Sequence, residues 1–304
     1  MLIEAKELLK YYKNKKWKKN IVIFDASWYL PNQNRNPYEE FKIKHIPKSI
    51  FFDIDEISNK DTTLPHMVPT ISQFNKKMNE MGISNNDKII IYSMDGIGTS
   101  PRVWWMFKLF GHKNVSVLNG GFRAWSNSSG PINDSHQNST KSSKYYATYN
   151  KNLICNYKDI LKTIDNKKYQ IIDARSKERF DGIEEEPRAG LKKGHIPNSI
   201  NLPFTKLINN KGYLISKSKI INLLKTYSIN KNIPIISTCG SGVTACTLAL
   251  ALNHIGIKNW KIYDGSWSDS GSKKKSLIEI ELFLISSLHI HKYIFIKTFF
   301  RFTS

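Results

Sequence analysis

Cysteine, acidic residues and long apolar runs are all scarce in this chain of 304 residues. Its three cysteines are an odd and small number, which argues against a disulfide scaffold and for a reducing compartment. Neither a CxxC nor an HExxH pattern occurs, so we expect no zinc site and no other bound metal. No apolar, uncharged stretch reaches the roughly eighteen residues that a membrane-spanning helix needs, so we expect no membrane span.

The shortage of acidic side chains leaves a formal charge of +21, from 46 lysines and arginines against 25 aspartates and glutamates. Such a charge raises the question of a polyanionic partner. The lysines are spread along the whole chain among asparagines, with a local cluster at residues 13–19. No basic helix with interleaved aromatic residues, zinc finger or RNA-recognition motif is evident. We therefore interpret the charge as solvated surface and not as a nucleic-acid site.

Two halves of the chain resemble each other. Four blocks recur in the same order about 145–150 residues apart, which is typical of a duplicated domain. The blocks are 21–27, 45–50, 88–92 and 111–122 in the first half, and 170–176, 195–200, 234–238 and 256–267 in the second. In each half, short apolar runs alternate with helical patterns. This alternation predicts an α/β fold in which each half is a parallel sheet flanked by helices, with functional groups at the carboxyl ends of the strands.

A polar segment separates the halves. Residues 126–150 are rich in serine, asparagine and threonine, a composition that buries little and indicates a linker. We therefore predict a first domain at 1–125, the linker at 126–150, a second domain at 151–275 and a tail at 276–304.

The strongest chemical signal is the segment at 239–244, which reads CGSGVT. It follows a predicted buried strand at 233–237 and precedes a helix that we predict from Val243 and expect to be amphipathic. Glycines let successive N–H groups turn inward, and a helix N-terminus adds positive potential. Both effects favour a thiolate, so Cys239 is a candidate nucleophile.

Two alternatives exist for Cys239 on these residues alone. One is an inert buried side chain, which is common for free cysteines and is what we expect of Cys155 and Cys246. The other is a cysteine phosphatase. That enzyme needs an arginine six residues after the cysteine to bind phosphate, and Ala245 stands at this position.

Several motifs resemble those of the tandem-rhodanese sulfurtransferases, across about residues 20–268. They are DASWYLP at 25–31, FFDID at 51–55, PRVWWMF at 101–107, GHIP at 194–197 and the CGSGVT loop. The resemblance implies two rhodanese-like domains, of which only the second is catalytic. Thiosulfate-preferring members carry an arginine and a lysine after the cysteine, whereas this loop is similar to that of the mercaptopyruvate-preferring members.

The resemblance also implies a set of site residues. Asp55, His66 and Ser241 would form a proton relay beside Cys239. The donor's carboxylate and ketone would be bound by two arginines, for which a surface salt bridge with one of the glutamates at 184–186 is the alternative. The substrate-binding residues so implied are Arg179, Arg188, Gly240, Gly242, Val243 and Thr244.

The implied reaction moves sulfane sulfur from 3-mercaptopyruvate, through a persulfide on Cys239, to thioredoxin, a small thiol or cyanide. Pyruvate is released, the kinetics are ping-pong, and no cofactor is needed. One alternative is thiosulfate:cyanide sulfurtransfer, which relative efficiency on the two donors would distinguish. The other is a persulfide-relay module for tRNA thiolation, which predicts little free turnover.

Both ends of the chain differ from the family pattern. In the tail at 276–304, charged residues interrupt the apolar ones. Three alternatives exist for this tail: a replacement helix, a membrane-surface segment or a mistranslated stretch. The N-terminal segment carries Glu4 and Glu7 and lacks the arginine-rich, acid-poor composition of a transit peptide. We expect cytoplasmic residence, with mitochondria as the alternative because family members occur in both.

Overall fold

The computed structural model describes residues 1–13, 20–134, 143–164, 166, 168–283 and 295–300. Most of the basic cluster at 13–19, the middle of the predicted linker and much of the predicted tail lie outside these residues. Within them, two five-stranded parallel sheets are flanked by helices, which confirms the predicted α/β class. None of the described helices is long and apolar enough to cross a membrane.

The first sheet has the strand order β1-β5-β4-β2-β3. Its strands are β1 (Leu2–Ile3), β2 (Ile21–Asp25), β3 (Ser49–Phe51), β4 (Lys88–Tyr92) and β5 (Val115–Leu118). The accompanying helices are α1 (Ala5–Lys13), α2 (Pro37–Ile43), α3 (Ile71–Glu80), α4 (Ser100–Leu109) and α5 (Gly121–Asn127). Ile89, Ile90 and Ile91 of β4 are all fully buried, as expected of a central parallel strand covered on both faces.

The second sheet repeats this topology in the order β6-β10-β9-β7-β8. Its strands are β6 (Ile154–Cys155), β7 (Gln170–Asp173), β8 (Ile200–Asn201), β9 (Ile235–Thr238) and β10 (Trp260–Tyr263). Its helices are α6 (Tyr157–Ile164), α7 (Lys177–Phe180), α8 (Lys217–Thr226), α9 (Ala245–His254) and α10 (Ser266–Ser270). Because β9 is a central strand, the loop that follows it opens at the carboxyl edge of the sheet, where parallel α/β folds bind ligands.

The prediction of an amphipathic helix from Val243 is wrong in two respects. Helix α9 begins at Ala245, so residues 239–244 form a longer loop than expected. Every residue from Ala245 to Leu252 is buried, so the helix has no solvated face within that stretch. The reason is that α4 of the other domain packs against α9. Trp104 of α4 meets Trp260 of β10 across the same interface, with ring centroids 5.9 Å apart.

Matched histidines mark the duplication. His45 and His195 each direct Nδ1 to a carbonyl, that of Phe41 at 2.8 Å and that of Phe180 at 2.7 Å. Each ring also stacks on that phenylalanine. These contacts give both histidines the same structural role.

The start of the predicted tail is bound to the second domain. His195 exchanges two backbone hydrogen bonds with Glu279, at 2.9 and 3.0 Å. His45 forms the same pair with Asn133 in the first domain. The described tail then forms an antiparallel pair of strands, β11 (Ile278–Phe283) and β12 (Phe295–Phe300), and not the replacement helix that was one alternative. The domain limits themselves stay a prediction.

Candidate active site

A cleft between the two domains has a volume of about 350 Å³ and Cys239 in its wall. The first domain contributes Trp28, Tyr29, Leu30, Gln33, Asp95, Gly98 and Thr99. The second contributes Arg175, Ser176, Arg179, Pro187, Arg188, Phe204 and most of the 239–244 loop. The volume is suited to a small molecule. Because Asp95 is among these residues, the first domain's loop after β4 helps to shape the cleft.

The loop after β9 is held by its carbonyl groups. The Cys239 carbonyl accepts a hydrogen bond from the Trp267 N–H at 2.9 Å, and the Gly240 carbonyl accepts one from the Ser268 N–H at 2.8 Å. The Ser268 hydroxyl adds a second bond to the Gly240 carbonyl at 2.7 Å. The Cys239 N–H donates to the Ser266 hydroxyl at 3.1 Å. Helix α10 therefore fixes the loop from behind.

The N–H groups of the loop are left for a ligand. Within the described part of the chain, none of the backbone N–H groups of residues 240–244 donates to a protein acceptor. Cys239, which precedes them, is only 1 % exposed. A run of unpaired N–H groups around a buried sulfur forms an anion-binding nest. It can stabilise a thiolate or a terminal persulfide sulfur at this position.

Two glycines of the loop serve different purposes. Gly242 has φ +75, and a Cβ there would lie 2.6 Å from the Asp264 carbonyl oxygen. A Cβ on Gly240 would instead lie 2.9 Å from Nη2 of Arg179. Gly242 therefore allows the loop to turn, whereas Gly240 makes room for an arginine.

The two candidate arginines differ in how far they are already paired. Arg179 binds Glu186, with Nη2–Oε2 at 2.5 Å and Nε–Oε1 at 3.2 Å, so the salt-bridge alternative is observed for this residue while it also lines the cleft. Fully buried Arg175 contacts the same carboxylate at 2.7 Å. No carboxylate pairs with Arg188 among the residues described. Burial lowers the pKa of Arg188, and a negative Cys239 opposes that shift.

His66 lies between Asp55 and Arg188. Its Nδ1 is 3.0 Å from Asp55 Oδ1, and its Nε2 is 3.0 Å from Arg188 Nη2. A guanidinium only donates, so Nε2 accepts and the ring hydrogen is on Nδ1, which lies close to Asp55 but makes no hydrogen bond of normal geometry among the residues described. The contact with His66 lowers the pKa of Asp55. Ser241 lines the cleft together with Cys239, but no hydrogen bond joins it to His66 in the part of the chain described.

Trp28 is a site residue that sequence reasoning missed. Its Nε1 donates to Asp55 Oδ2 at 2.8 Å, and its ring meets the His66 ring edge-on at 4.8 Å. Its only signal in the sequence is its position just after β2, at the carboxyl edge of the first sheet. Glu186 was noticed only as an alternative partner for the arginines.

The other cysteines lack such an environment. Cys155 and Cys246 are both buried, and burial raises the pKa of each thiol. The Cys246 thiol donates to the Gly242 carbonyl at 3.2 Å, so it packs behind the loop. These observations agree with the packing role expected of both.

The first domain has a serine where the second has its cysteine. Ser93 follows β4 as Cys239 follows β9, and its hydroxyl lies 2.8 Å from the Ser100 hydroxyl and 3.1 Å from the Ser100 N–H. A hydroxyl engaged in this way lacks both the acidity and the surroundings of a nucleophile. Among the described residues, the cysteine–glycine loop therefore occurs in the second domain and not in the first.

Two parallel α/β domains with a cysteine–glycine loop at the carboxyl edge of the second sheet define a double rhodanese fold. The chain belongs to the rhodanese-like family, whose domain model matches residues 6–128 and 156–272. The family resemblance predicted from the sequence is thereby confirmed.

Named relatives have the same two-domain extent. The chain is 38 % identical over 268 residues to a 3-mercaptopyruvate sulfurtransferase of Mus musculus. The alignment covers 88 % of this chain and 90 % of the relative. It is 38 % identical over 280 residues to thiosulfate/3-mercaptopyruvate sulfurtransferase 1, mitochondrial, of Arabidopsis thaliana, covering 86 % and 74 %. The crystal structure of SseA from Escherichia coli, a 3-mercaptopyruvate sulfotransferase, superposes with a TM-score of 0.79 at 32 % identity, covering 88 % and 98 %.

Proposed function

We propose that this protein transfers sulfane sulfur from 3-mercaptopyruvate to a thiol acceptor through a persulfide on Cys239. The observation that carries the proposal concerns the described residues: the buried Cys239 lies in a loop with five N–H groups that bind no protein acceptor, and the same cleft contains Arg188, which pairs with no carboxylate. The sulfurtransferase names of relatives that share most of the chain support the same reaction class.

Donor binding is assigned chiefly to Arg188. Because carboxylates already neutralise Arg175 and Arg179, Arg188 is, among the described arginines of the cleft, the one available to a donor carboxylate. A carboxylate that draws Arg188 towards itself would release Nε2 of His66. His66 would then be free to hydrogen-bond Ser241. The relay of Ser241, His66 and Asp55 would thus be completed only with donor bound.

In the first half-reaction the Cys239 thiolate attacks the sulfur of mercaptopyruvate. A sulfur–sulfur bond forms and the carbon–sulfur bond breaks, with its electron pair passing to carbon as the pyruvate enolate. Ser241 delivers a proton to the enolate carbon, and the hydrogen of the donor's thiol replaces it by way of Nε2 of His66, so that pyruvate leaves and a persulfide anion remains on Cys239. The persulfide that remains is stabilised by the N–H groups of Gly240, Gly242, Val243 and Thr244 and by Ser241.

In the second half-reaction an acceptor thiolate attacks the outer sulfur. The sulfur–sulfur bond breaks and Cys239 returns as a thiolate, while the acceptor carries the persulfide away. Thioredoxin, small thiols and cyanide are the acceptors we propose. We propose cytoplasmic residence, and the mitochondrial name of the Arabidopsis thaliana relative supports mitochondria as the alternative.

Intact-mass spectrometry tests the first half-reaction. The purified protein is incubated briefly with 3-mercaptopyruvate, and we expect the mass to rise by one sulfur atom. Cys239→Ser should gain nothing, whereas Cys246→Ser, which alters a buried thiol behind the same loop, should gain sulfur like the wild type. Sulfur gain by Cys239→Ser, or none by the wild type, would refute the proposal.

Thiosulfate is a second candidate donor. Arg175, Arg179 and Arg188 all line the cleft, a basic wall that suits a doubly charged anion, and the Arabidopsis thaliana relative carries both donors in its name. Faster sulfur gain from thiosulfate than from mercaptopyruvate in the same mass assay would transfer the assignment to this donor.

A further inference from the structure

Arg102 joins the two domains at the candidate active site. It lies on α4 of the first domain and is fully buried. Its Nη1 donates to the Gly242 carbonyl at 3.2 Å and to Asp264 Oδ1 at 2.7 Å. Its Nη2 donates to the His66 carbonyl. One guanidinium therefore holds the histidine loop of the first domain and the sulfur loop of the second.

Asp264 extends this arrangement on both sides. Its Oδ2 accepts a hydrogen bond from the Val68 N–H at 2.9 Å, two residues after His66. Along the chain it lies two residues before Ser266, whose hydroxyl receives the Cys239 N–H. Burial opposes the charge of Arg102, but Asp264 and Cys246 together outweigh that effect, and the pKa of Arg102 is raised. The pair is therefore a charged bridge within the interface.

Both of the segments that Arg102 holds contain a residue with positive φ, His66 at φ 59 and Gly242 at φ 75. The left-handed region is free of strain for glycine but is unfavourable for a residue with a side chain, where it persists only if the surroundings impose it. The hydrogen bond from Arg102 to the His66 carbonyl is such a constraint. Its bond to the Gly242 carbonyl acts on the loop that contains Cys239 and Ser241.

We propose that Arg102 is a positioning residue that sets the His66 loop and the sulfur loop in register across the domain interface. Arg102 is not among the described residues that line the cleft with Cys239, so its effect is on how well the relay and the anion-binding nest are aligned. This explains why a domain that lacks the nucleophile is needed for the reaction. The inference rests on the proposed function for its kinetic readout only.

The test must separate alignment from charge balance, because removing Arg102 alone leaves Asp264 as an unpaired buried charge. We therefore compare three variants. The first is a double variant, called the neutral pair, that combines Arg102→Met and Asp264→Asn. The second is the conservative variant Arg102→Lys, and the third is Trp104→Phe, a control on the same helix and interface. Each is measured by thermal melting, by the rate of sulfur gain from mercaptopyruvate, and by the rate at which iodoacetamide alkylates Cys239, assigned with Cys239→Ser.

We expect the neutral pair to melt near the control and yet to gain sulfur about 10- to 100-fold more slowly at saturating donor, since small misplacements have costs of that size. The half-saturating donor concentration should change little, and Arg102→Lys should recover part of the rate. Adding His66→Ala to the neutral pair should then have much less effect than His66→Ala alone, because the two changes act through one element.

A neutral pair that gains sulfur at the control rate, or a His66→Ala effect that adds in full, would overturn the inference. Alkylation requires no donor. If the wild type gained no sulfur while the neutral pair was alkylated more slowly than the control, the proposed function would fail and the positioning role would stand.

Discussion

The two glycines of the sulfur loop should respond differently to the same substitution: alanine at Gly242 should cost mainly stability, and alanine at Gly240 mainly activity. Gly242→Ala introduces a Cβ 2.6 Å from the Asp264 carbonyl oxygen in a backbone with φ +75. The conformation costs about 1–2 kcal/mol and the clash adds a comparable amount, which gives a loss of about 2–4 kcal/mol in the free energy of unfolding. Because the loop must move to relieve the clash, sulfur gain should also be lost.

Gly240→Ala meets only the end of a side chain. Its Cβ would lie 2.9 Å from Arg179 Nη2, and ordinary contact begins at 3.4 Å, so the guanidinium must retreat by about half an ångström. Retreat weakens the bond between Arg179 and Glu186 but leaves the backbone in place. We expect less than about 1 kcal/mol of destabilisation together with a fall in kcat/KM.

Gly256 provides the matched control for the conformational part. It follows α9 with φ +91, and a Cβ there meets nothing within 4 Å. Gly256→Ala should therefore have only the cost of the conformation, about 1–2 kcal/mol, with normal sulfur gain. Thermal melting and the mass assay on the three variants decide the matter. Equal melting of the two loop variants, or a fully active Gly242→Ala, would refute this account of the loop.

Three further predictions concern other buried and cleft residues. Burial raises the pKa of Asp25 from 3.8 to about 6. A raised carboxyl pKa means that stability is lost as pH rises through this window, so unfolding free energies measured from about pH 4 to pH 7 should fall about 3 kcal/mol further in the wild type than in Asp25→Asn. Arg188→Met should raise KM for mercaptopyruvate about 10- to 100-fold in steady-state assays, because a charge-assisted contact with the donor carboxylate is lost. An unchanged KM would show that Arg188 does not bind the donor. Trp28→Phe keeps the ring against His66 but removes the bond to half-exposed Asp55, so kcat should fall by only about two- to fivefold, and a larger fall would mean that the indole does more than position Asp55.

Local patterns in the sequence were sufficient to predict the fold and to single out Cys239 as a candidate nucleophile. Each central strand is a short apolar run, and the duplication is visible as repeated blocks, so both sheets could be anticipated. The loop after β9 was identifiable because a strand, closely spaced glycines and a helix are contiguous in the chain. These signals depend on neighbours in sequence, which is where propensity and periodicity are informative.

Contacts across the domain interface could not be predicted in this way. His66 and Arg188 are 122 residues apart in the chain, and Arg102 and Asp264 are 162 apart. The burial of α9 on all sides has the same origin, because α4 of the first domain covers the face that would otherwise be solvated. Only the relative position of the two domains brings these groups together, and no short segment of sequence specifies it.

Matched positions in the two domains show where their ionic networks differ. After β7, the Asp173 carboxylate is paired with Arg175 at 2.7 Å, and Arg175 also binds Glu186, so a buried ionic network extends to the wall of the cleft. At the matching position after β2, Ser27 replaces the arginine. Its hydroxyl donates to Asp25, and no basic side chain pairs with Asp25 among the residues described. The arginines that reach the matching loop of the first domain, Arg35 and Arg123, are instead partly exposed and pair with Asp95. The buried ionic network is therefore a feature of the second domain among the residues described, which is consistent with a first domain that supplies the walls, the proposed relay and the interface while the second would carry the sulfur.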